Sequence, residues 1–119
     1  MGMIIRAELF PIRLKLSEKN NFELLLEVEN EDDKKKLVTV ELQLPPQVSF
    51  SNVSLSTDYS KRVEGFRPLG KMATKMPIYM SRNVEPGNHS GKIIVQEHFR
   101  EFGVVEKKFR KEILFRIYE

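Results

Sequence analysis

The sequence predicts an all-β fold, an antiparallel sandwich of roughly seven to eight strands. Apolar and polar residues alternate in several segments, as they do in strands that bury one face. Turn residues recur at intervals of about ten residues, a spacing typical of sandwiches. No segment shows a helical period of apolar residues, so helices are not expected.

The first predicted strand changes its phase at a proline. Apolar residues occupy odd positions before Pro11 and even positions after it. They are Ile5, Ala7 and Leu9 on one side and Ile12, Leu14 and Leu16 on the other. A change of phase turns the opposite face toward the core, and proline cannot donate to a ladder. We therefore expect an edge strand with a bulge, or a strand that switches between the two sheets.

Two half-buried strands are predicted on either side of the charged segment NEDDKKK. Their apolar positions are Phe22, Leu24, Leu26 and Val28, then Val38, Val40, Leu42 and Leu44. Asn30, Asp32 and Asp33 have short side chains that satisfy turn backbone locally. The segment is therefore predicted to be a tight, solvated connection between antiparallel strands, and Pro45 and Pro46 end the second strand.

The second half of the chain begins irregularly and then returns to strands. Residues 56–75 contain Gly65, Pro68 and Gly70, which predict turns, with one short strand near residues 63–66. The turn VEPGNHSG is followed by a strand over 91–99, then the hairpin loop REFG and a final long strand. The shared apolar faces are Met76, Ile78 and Met80, then Ile93, Val95 and Phe99, then Phe109, Ile113, Phe115 and Ile117.

Length and composition favour one domain, residues 1–119, with its own core. The chain has no cysteine, which excludes disulfides, thiolate nucleophiles and zinc sites built on cysteine. No cofactor is expected. The start MGMIIRAELF has no long apolar core, and no run approaches the roughly 18 apolar residues of a membrane span, so a cytoplasmic location is expected.

Four segments carry a family resemblance. FELLLEVEN, LVTVELQLPPQV, PLGKMATKMPIYM and EPGNHSGKIIVQ resemble the immunoglobulin-like modules called cell-adhesion-related domains of bacteria and archaea. They are also similar to the immunoglobulin-like domains appended to glycosidases. The matching turn residues are Asn30, Pro45, Gly70, Pro86 and Gly87. The resemblance covers residues 12–99 and implies an immunoglobulin-like sandwich with an interaction role and no catalytic residues.

Catalytic and metal sites have little support in the sequence. His89 and His98 are the only histidines, one in a predicted turn and one on a strand, and a pair of surface histidines is expected rather than a zinc site. Asn30 to Asp33 could attract calcium, but the spaced ligands and glycine of a calcium loop are missing. No nucleophile elbow or phosphate loop is present, so the chain is predicted not to be an enzyme.

A basic segment predicts a binding site for nucleic acid or another polyanion. The candidate residues are Lys61, Arg62, Arg67, Lys71, Lys75 and Arg82, with Tyr59, Phe66 and Tyr79 between them. In proteins that bind single strands, cations contact phosphates and aromatic rings stack on bases. Lys107, Lys108, Arg110 and Lys111 would extend the patch if the last strand lies nearby. A solvated basic face and a core position for Phe66 are the plainer interpretations.

The leading hypothesis is a module that binds a protein partner, or its own copy in a homo-oligomer. Open edges of a sandwich accept a further strand through backbone hydrogen bonds. Pro11 and the charged alternation of the last strand indicate edges that are protected against promiscuous pairing. A protected edge can still accept one complementary strand. Nucleic acid is the alternative partner, and no membrane span is expected.

Overall fold

The computed structural model describes residues 2–10, 13–15, 22–51, 53–80 and 84–118, with 13–15 and 118 described as backbone only. Nine strands lie in these ranges. They are β1 (Met3–Phe10), β2 (Arg13–Lys15), β3 (Phe22–Asn30), β4 (Lys36–Gln43), β5 (Val48–Ser49), β6 (Asp58–Phe66), β7 (Lys71–Met80), β8 (Gly87–His98) and β9 (Val105–Tyr118). The described residues contain no helix, and accordingly none that could cross a membrane.

The strands form two sheets that enclose one core. Strands β1, β3, β7 and β5 make a four-stranded sheet in that order, and β2, β9, β8, β4 and β6 make a five-stranded sheet. Neighbours in the described ranges are antiparallel, except that β2 runs parallel to β9. The predicted all-β sandwich is confirmed.

The phase change near Pro11 corresponds to a switch between sheets. β1 pairs with β3 over its whole length, from Met3 opposite Asn30 to Phe10 opposite Glu23. β2 follows in the other sheet, where it pairs with the end of β9. Of the two predicted outcomes, the sheet switch is therefore confirmed, while Pro11, Ile12 and Leu16 lie outside the described residues.

The core contains the alternating residues that the sequence predicts. The buried side chains include Phe22, Leu24, Leu26 and Val28 of β3, Val38, Val40 and Leu42 of β4, Ile93 and Val95 of β8, and Ile113, Phe115 and Ile117 of β9. Period-2 alternation places these residues on the inner face of each sheet, so that the two inner faces pack together. Their burial removes apolar surface from water, which is the main stabilising contribution.

The charged turn after β3 joins the two sheets instead of closing a hairpin. β3 lies in the four-stranded sheet and β4 in the five-stranded sheet, so the two strands are not paired. The local turn chemistry is as predicted, because Oδ1 of Asn30 accepts a hydrogen bond from the amide of Asp32 at 3.0 Å. Asn30 itself is fully buried rather than solvated.

Three predictions in the second half are wrong. Residues 58–62 and 71–75, predicted to be irregular, belong to the long strands β6 and β7, and the alternation of β6 is weak because it is an exposed edge strand. β8 begins at Gly87, four residues before the expected Gly91. Phe99 lies outside β8 and is exposed, because β8 ends at His98 and Phe99 begins the turn, where its amide donates to the carbonyl oxygen of Val104 at 3.0 Å.

Candidate interaction surfaces

The basic residues predicted from the middle segment lie on different faces of the two sheets and do not form one patch. Arg62 lies on the outer face of the five-stranded sheet, opposite Thr39, and Lys61 has the inward phase, opposite Val40. Lys71 and Lys75 lie on the outer face of the other sheet. The last two members are Arg67, exposed in the turn after β6, and Arg82, outside the described residues.

Acidic neighbours compensate part of this charge. Lys71 Nζ lies 3.1 Å from a carboxylate oxygen of Glu27. Arg6 on β1 lies 4.0 Å from Glu27 and 3.5 Å from Glu29. The outer face of the four-stranded sheet therefore carries alternating charges, a pattern that favours solubility more than binding of a polyanion.

The basic residues of β9 do not extend the patch directly. β8 and β4 lie between β9 and β6, which places the two strands about 14 Å apart. Lys108 and Arg110 have the outward phase, whereas Lys107 and Lys111 have the inward phase. Lys111 Nζ donates a hydrogen bond to the carbonyl oxygen of Ile5 at 2.9 Å, so this lysine bridges β9 and β1 at one point.

The edge of β9 is the longest unpaired strand edge in the described part of the chain. β8 pairs with β9 on one side along twelve positions. On its other side, β9 pairs with β2 only at residues 116–118. Residues 105–115 consequently present backbone groups that have no neighbouring strand in the described ranges.

A groove runs beside this edge, between β9 and β1. Its volume is about 480 Å³, and its lining is more apolar than polar. The lining residues are Ala7, Glu8, Leu9, Phe10, Lys111, Glu112, Ile113, Leu114 and Arg116. Phe10 and Leu114 are 48% and 42% exposed, so the rim presents apolar surface to solvent. An added strand at β9 would bury these side chains.

A second surface, which we name the loop end, consists of loops 31–35, 67–70 and 99–104. The loops lie together because Lys36 pairs with Phe66, Leu37 with His98 and His98 with Val105. Asn30 connects two of the loops, since its Nδ2 is within 3.1 to 3.3 Å of the carbonyl oxygens of Lys34, Phe66 and Arg67.

The loop end combines exposed apolar side chains with strained backbone. Leu69 is 73% exposed and Phe99 is 52% exposed. Leu69 and Arg100 have φ of 56° and 66°, and they are the two non-glycine residues with positive φ in the described ranges. Such strain persists where surrounding structure enforces it and is common at functional sites.

Two arginines, one on β6 and one in loop 99–104, lie over aromatic rings of the loop end. The guanidinium of Arg62 is 4.9 Å from the centroid of Phe102, and that of Arg100 is 4.9 Å from the centroid of Phe99. The ring of His98 meets Phe102 edge to face at 5.3 Å. Each pair presents a cation and an aromatic face together, as surfaces that bind single-stranded nucleic acid do.

The histidines differ from the expected surface pair. His98 is buried, and its Nε2 lies 2.7 Å from Oγ1 of Thr39. His89 lies on β8 rather than in a turn, with Nε2 2.9 Å from the carbonyl oxygen of Glu85. No cluster of three His, Asp or Glu side chains that could hold a metal occurs within the described ranges.

Beneath the loop end lies a buried carboxylate that the sequence reasoning missed. Glu97 is 1% exposed, and neither carboxylate oxygen has a hydrogen-bond partner in the described structure. Lys36 Nζ is 4.0 Å from it and 3.3 Å from Asp32. The signal was available, because Glu97 continues the inward alternation of Ile93 and Val95.

Comparisons with known proteins establish the fold but not a family. No family model matches this sequence. The chain is 39% identical over 69 residues to the bifunctional protein FolD of two Bacteroides fragilis strains, ATCC 25285 and YCH46, a match that covers 55% of this chain. It spans about a quarter, 24%, of the length of these relatives.

The fold is similar to part of a solved DNA glycosylase. That protein is the Pseudomonas fluorescens alkylpurine DNA glycosylase AlkC bound to DNA containing an abasic site analog, with a TM-score of 0.57 and 11% sequence identity. The likeness covers 99% of this chain and 31% of the glycosylase chain. At this identity it concerns the fold alone.

Proposed function

We propose that this chain is a non-catalytic interaction module that binds a protein partner through the open edge of β9. The observation that carries the proposal is the unpaired edge over residues 105–115, beside a groove of about 480 Å³. A partner strand would satisfy the free backbone groups, and the groove would receive its alternate side chains. Backbone pairing supplies affinity and the groove supplies specificity.

The immunoglobulin-like relationship is part of this proposal. Immunoglobulin sandwiches have one sheet in the order A-B-E-D and a second containing G-F-C, with C′ added beside C in variable types. The orders β1-β3-β7-β5 and β9-β8-β4-β6 support the relationship. One departure is that β5 precedes β6 along the chain, although it occupies the place of strand D. Domains of this architecture serve in interactions as well as in other roles, so the edge carries the functional argument.

The test compares retention of proteins from a cell extract by three immobilised chains. Arg110→Glu alters the outer face of the β9 edge, and Lys75→Glu makes the same charge change on the opposite sheet. A partner of the β9 edge is retained by the wild type and Lys75→Glu and is lost from Arg110→Glu. Equal retention by all three chains would refute binding at this edge, provided that circular dichroism shows Arg110→Glu to be folded.

A second candidate function, binding of nucleic acid or another polyanion, is favoured by the loop end. Arg62 and Arg100 each lie 4.9 Å from an aromatic centroid, and Phe99 is exposed beside Arg100. Phosphates would contact the guanidinium groups and bases would stack on the rings. The DNA-bound state of the structurally similar glycosylase belongs to that protein, so this candidate rests on Arg62, Arg100 and Phe99 of this chain.

Salt-dependent binding of a fluorescent single-stranded oligonucleotide tests this candidate. Arg62→Glu with Arg100→Glu is expected to abolish binding at low salt, because both cation and ring pairs are lost. Lys71→Glu with Lys75→Glu tests the part of the predicted patch that lies outside the loop end. Loss of binding in the second variant alone would favour the predicted patch, and unchanged binding in both would exclude both surfaces.

A further inference from the structure

We infer that the partner of the β9 edge is a second copy of this chain, paired antiparallel about a two-fold axis at Lys111. The inference rests on the proposed function and specifies its partner. Such a dimer would join the two five-stranded sheets into one continuous sheet through residues 107–115 of both copies. Within the described ranges, β2 pairs with β9 only at residues 116–118, and no strand pairs with this side of residues 107–115.

Geometry restricts the registers that such a dimer can adopt. Residues directly opposite each other in an antiparallel pair point to the same face of the sheet. On β9 the odd residues Phe109, Lys111 and Ile113 have the inward phase, and the even residues Arg110 and Glu112 have the outward phase. A two-fold axis perpendicular to the sheet must therefore pass through a residue, which limits the choice to a few centres.

The register centred on Lys111 pairs complementary side chains. Arg110 of each copy lies opposite Glu112 of the other, which gives two opposite-charge pairs on the outer face. Phe109 of each copy lies opposite Ile113 of the other on the inner face. Ile113 lines the groove, whereas the ring of Phe109 packs beside Gly2 of its own chain, so the second copy would cover the groove lining beside Ile113 without inserting that ring.

Neighbouring registers place like charges opposite each other. A centre at Phe109 pairs Lys108 with Arg110 and Lys107 with Lys111. A centre at Glu112 pairs that residue with its own copy and Lys108 with Arg116, while a centre at Arg110 pairs Arg110 with itself and opposes Phe109 to Lys111. Like charges directly opposite are destabilising, so complementarity selects Lys111 as the centre.

Lys111 would face its own copy across the axis, yet its charge is directed elsewhere. Its Nζ donates to the carbonyl oxygen of Ile5, which holds the ammonium toward β1. The same contact protects the edge of β1 against pairing. The side chain of Lys111 thus covers the edge of β1, while its backbone lies on the edge of β9. Because Lys111 has the inward phase, β9 can pair only with a strand that accepts a lysine at this position.

Single-cysteine cross-linking tests the register, since the wild-type chain has no cysteine. Residues on the axis are separated by about 4.5 to 5.5 Å between Cα atoms, within the range of a disulfide. Lys111→Cys is expected to form a covalent dimer under mild oxidation at least about tenfold faster than Arg110→Cys. Faster cross-linking of Arg110→Cys would overturn the register, and equally slow reaction of both would overturn the dimer.

Sedimentation over a range of protein concentrations tests the association without new cysteines. Arg110→Glu or Glu112→Arg alone is expected to raise the dimer Kd about tenfold, because two attractive pairs become repulsive. The swap Arg110→Glu with Glu112→Arg restores the pairing only in the register centred on Lys111, so its Kd returns to within about threefold of the wild type. A swap variant as weak as the single variants would refute this register.

The two proposals fail in distinguishable ways. A wild-type chain that stays monomeric at all concentrations refutes the homodimer. If immobilised Lys75→Glu nevertheless retains a protein from the extract that immobilised Arg110→Glu does not, the edge of β9 still binds a partner, which is a different protein. If Arg110→Glu retains the same proteins as the wild type, the proposed function at this edge fails as well.

Discussion

Lys36 Nζ lies 4.0 Å from Oε1 of Glu97, a carboxylate that is buried at the end of the core. Neither oxygen of Glu97 receives a hydrogen bond within the described part of the chain. The ammonium of Lys36 also lies 3.3 Å from Asp32, which is nearer the surface. A buried carboxylate is costly unless paired, so the lysine compensates a charge that the core would otherwise leave unpaired.

Removal of the two partners is expected to have unequal effects on stability. Lys36→Met leaves the Glu97 carboxylate without a cation and should lower the free energy of unfolding by about 2 kcal/mol. Glu97→Met removes the buried charge while Lys36 keeps Asp32, so the free energy of unfolding should stay within about 1 kcal/mol of the wild type or rise. Urea denaturation measures both values.

The double variant Lys36→Met with Glu97→Met supplies the control for this asymmetry. Its free energy of unfolding should exceed that of Lys36→Met by about 2 kcal/mol, because no unpaired buried charge remains. Equal losses in all three variants would indicate that Glu97 stabilises the fold through its packing and that its charge is irrelevant.

Glu97 also illustrates what alternation can predict and what it cannot. Ile93 and Val95 have the inward phase expected of them, and the same period places Glu97 in the core. The same alternation predicted Phe99 on that face. β8 instead ends at His98, and the amide of Phe99 donates to the carbonyl oxygen of Val104 in the turn to β9. The point at which a strand ends is set by tertiary pairing that the local pattern does not encode.

Replacement of Asn30 by aspartate, its closest isostere, is expected to destabilise the fold. Its Nδ2 group faces the carbonyl oxygens of Lys34, Phe66 and Arg67, and its Oδ1 accepts from Asp32. Asn30→Asp removes these donors and turns a carboxylate toward carbonyl oxygens in a fully buried site. We expect a loss of about 3 kcal/mol in the free energy of unfolding, measured by urea denaturation.

A matched substitution at Asp32 separates this effect from a general effect of the turn. Asp32→Asn retains the backbone amide that donates to Asn30 and changes only a side chain near the surface. Its cost should be below about 1 kcal/mol. Comparable losses for Asn30→Asp and Asp32→Asn would contradict the anchoring role of Asn30.

The edge strand β6 shows why the predicted patch could not be assembled from the sequence. Tyr59 and Val63 are only half-buried, and the inward position between them is Lys61. Because this segment has no regular apolar face, its sequence does not predict a strand. Its basic residues were therefore predicted to form one patch, whereas the pleat of β6 directs Arg62 to one face and Lys61 to the other.

Gly91 and Gly103 differ in whether the structure has room for a Cβ atom. A Cβ at Gly91 would lie 2.8 Å from the backbone oxygen of Gln43 and 3.1 Å from Ile113, inside the core. Gly91→Ala should therefore lower the free energy of unfolding by about 2 kcal/mol. A Cβ at Gly103 would meet no atom within 4 Å, so Gly103→Ala should be neutral to within about 0.5 kcal/mol. Thermal unfolding compares the two, and equal Tm values would contradict the close approach at Gly91.

Substitution of Arg100 by glycine is expected to raise the stability of the fold and to weaken binding at the loop end. Its φ of 66° is costly for a residue with a Cβ, so Arg100→Gly should relieve about 1 kcal/mol of backbone strain and raise the Tm. The same substitution removes the guanidinium that lies over Phe99. If the loop end binds polyanions, oligonucleotide affinity at low salt should fall while the Tm rises.

Leu69→Gly is the matched control for that trade-off, because Leu69 has a similar φ of 56° and carries no charge. It should raise the Tm by a comparable amount and leave oligonucleotide affinity unchanged. Fluorescence anisotropy and thermal unfolding of the same samples measure both quantities. An equal loss of affinity in the two variants would mean that backbone strain, and not the Arg100 charge, governs binding, and an unchanged affinity in Arg100→Gly would remove this residue from the site.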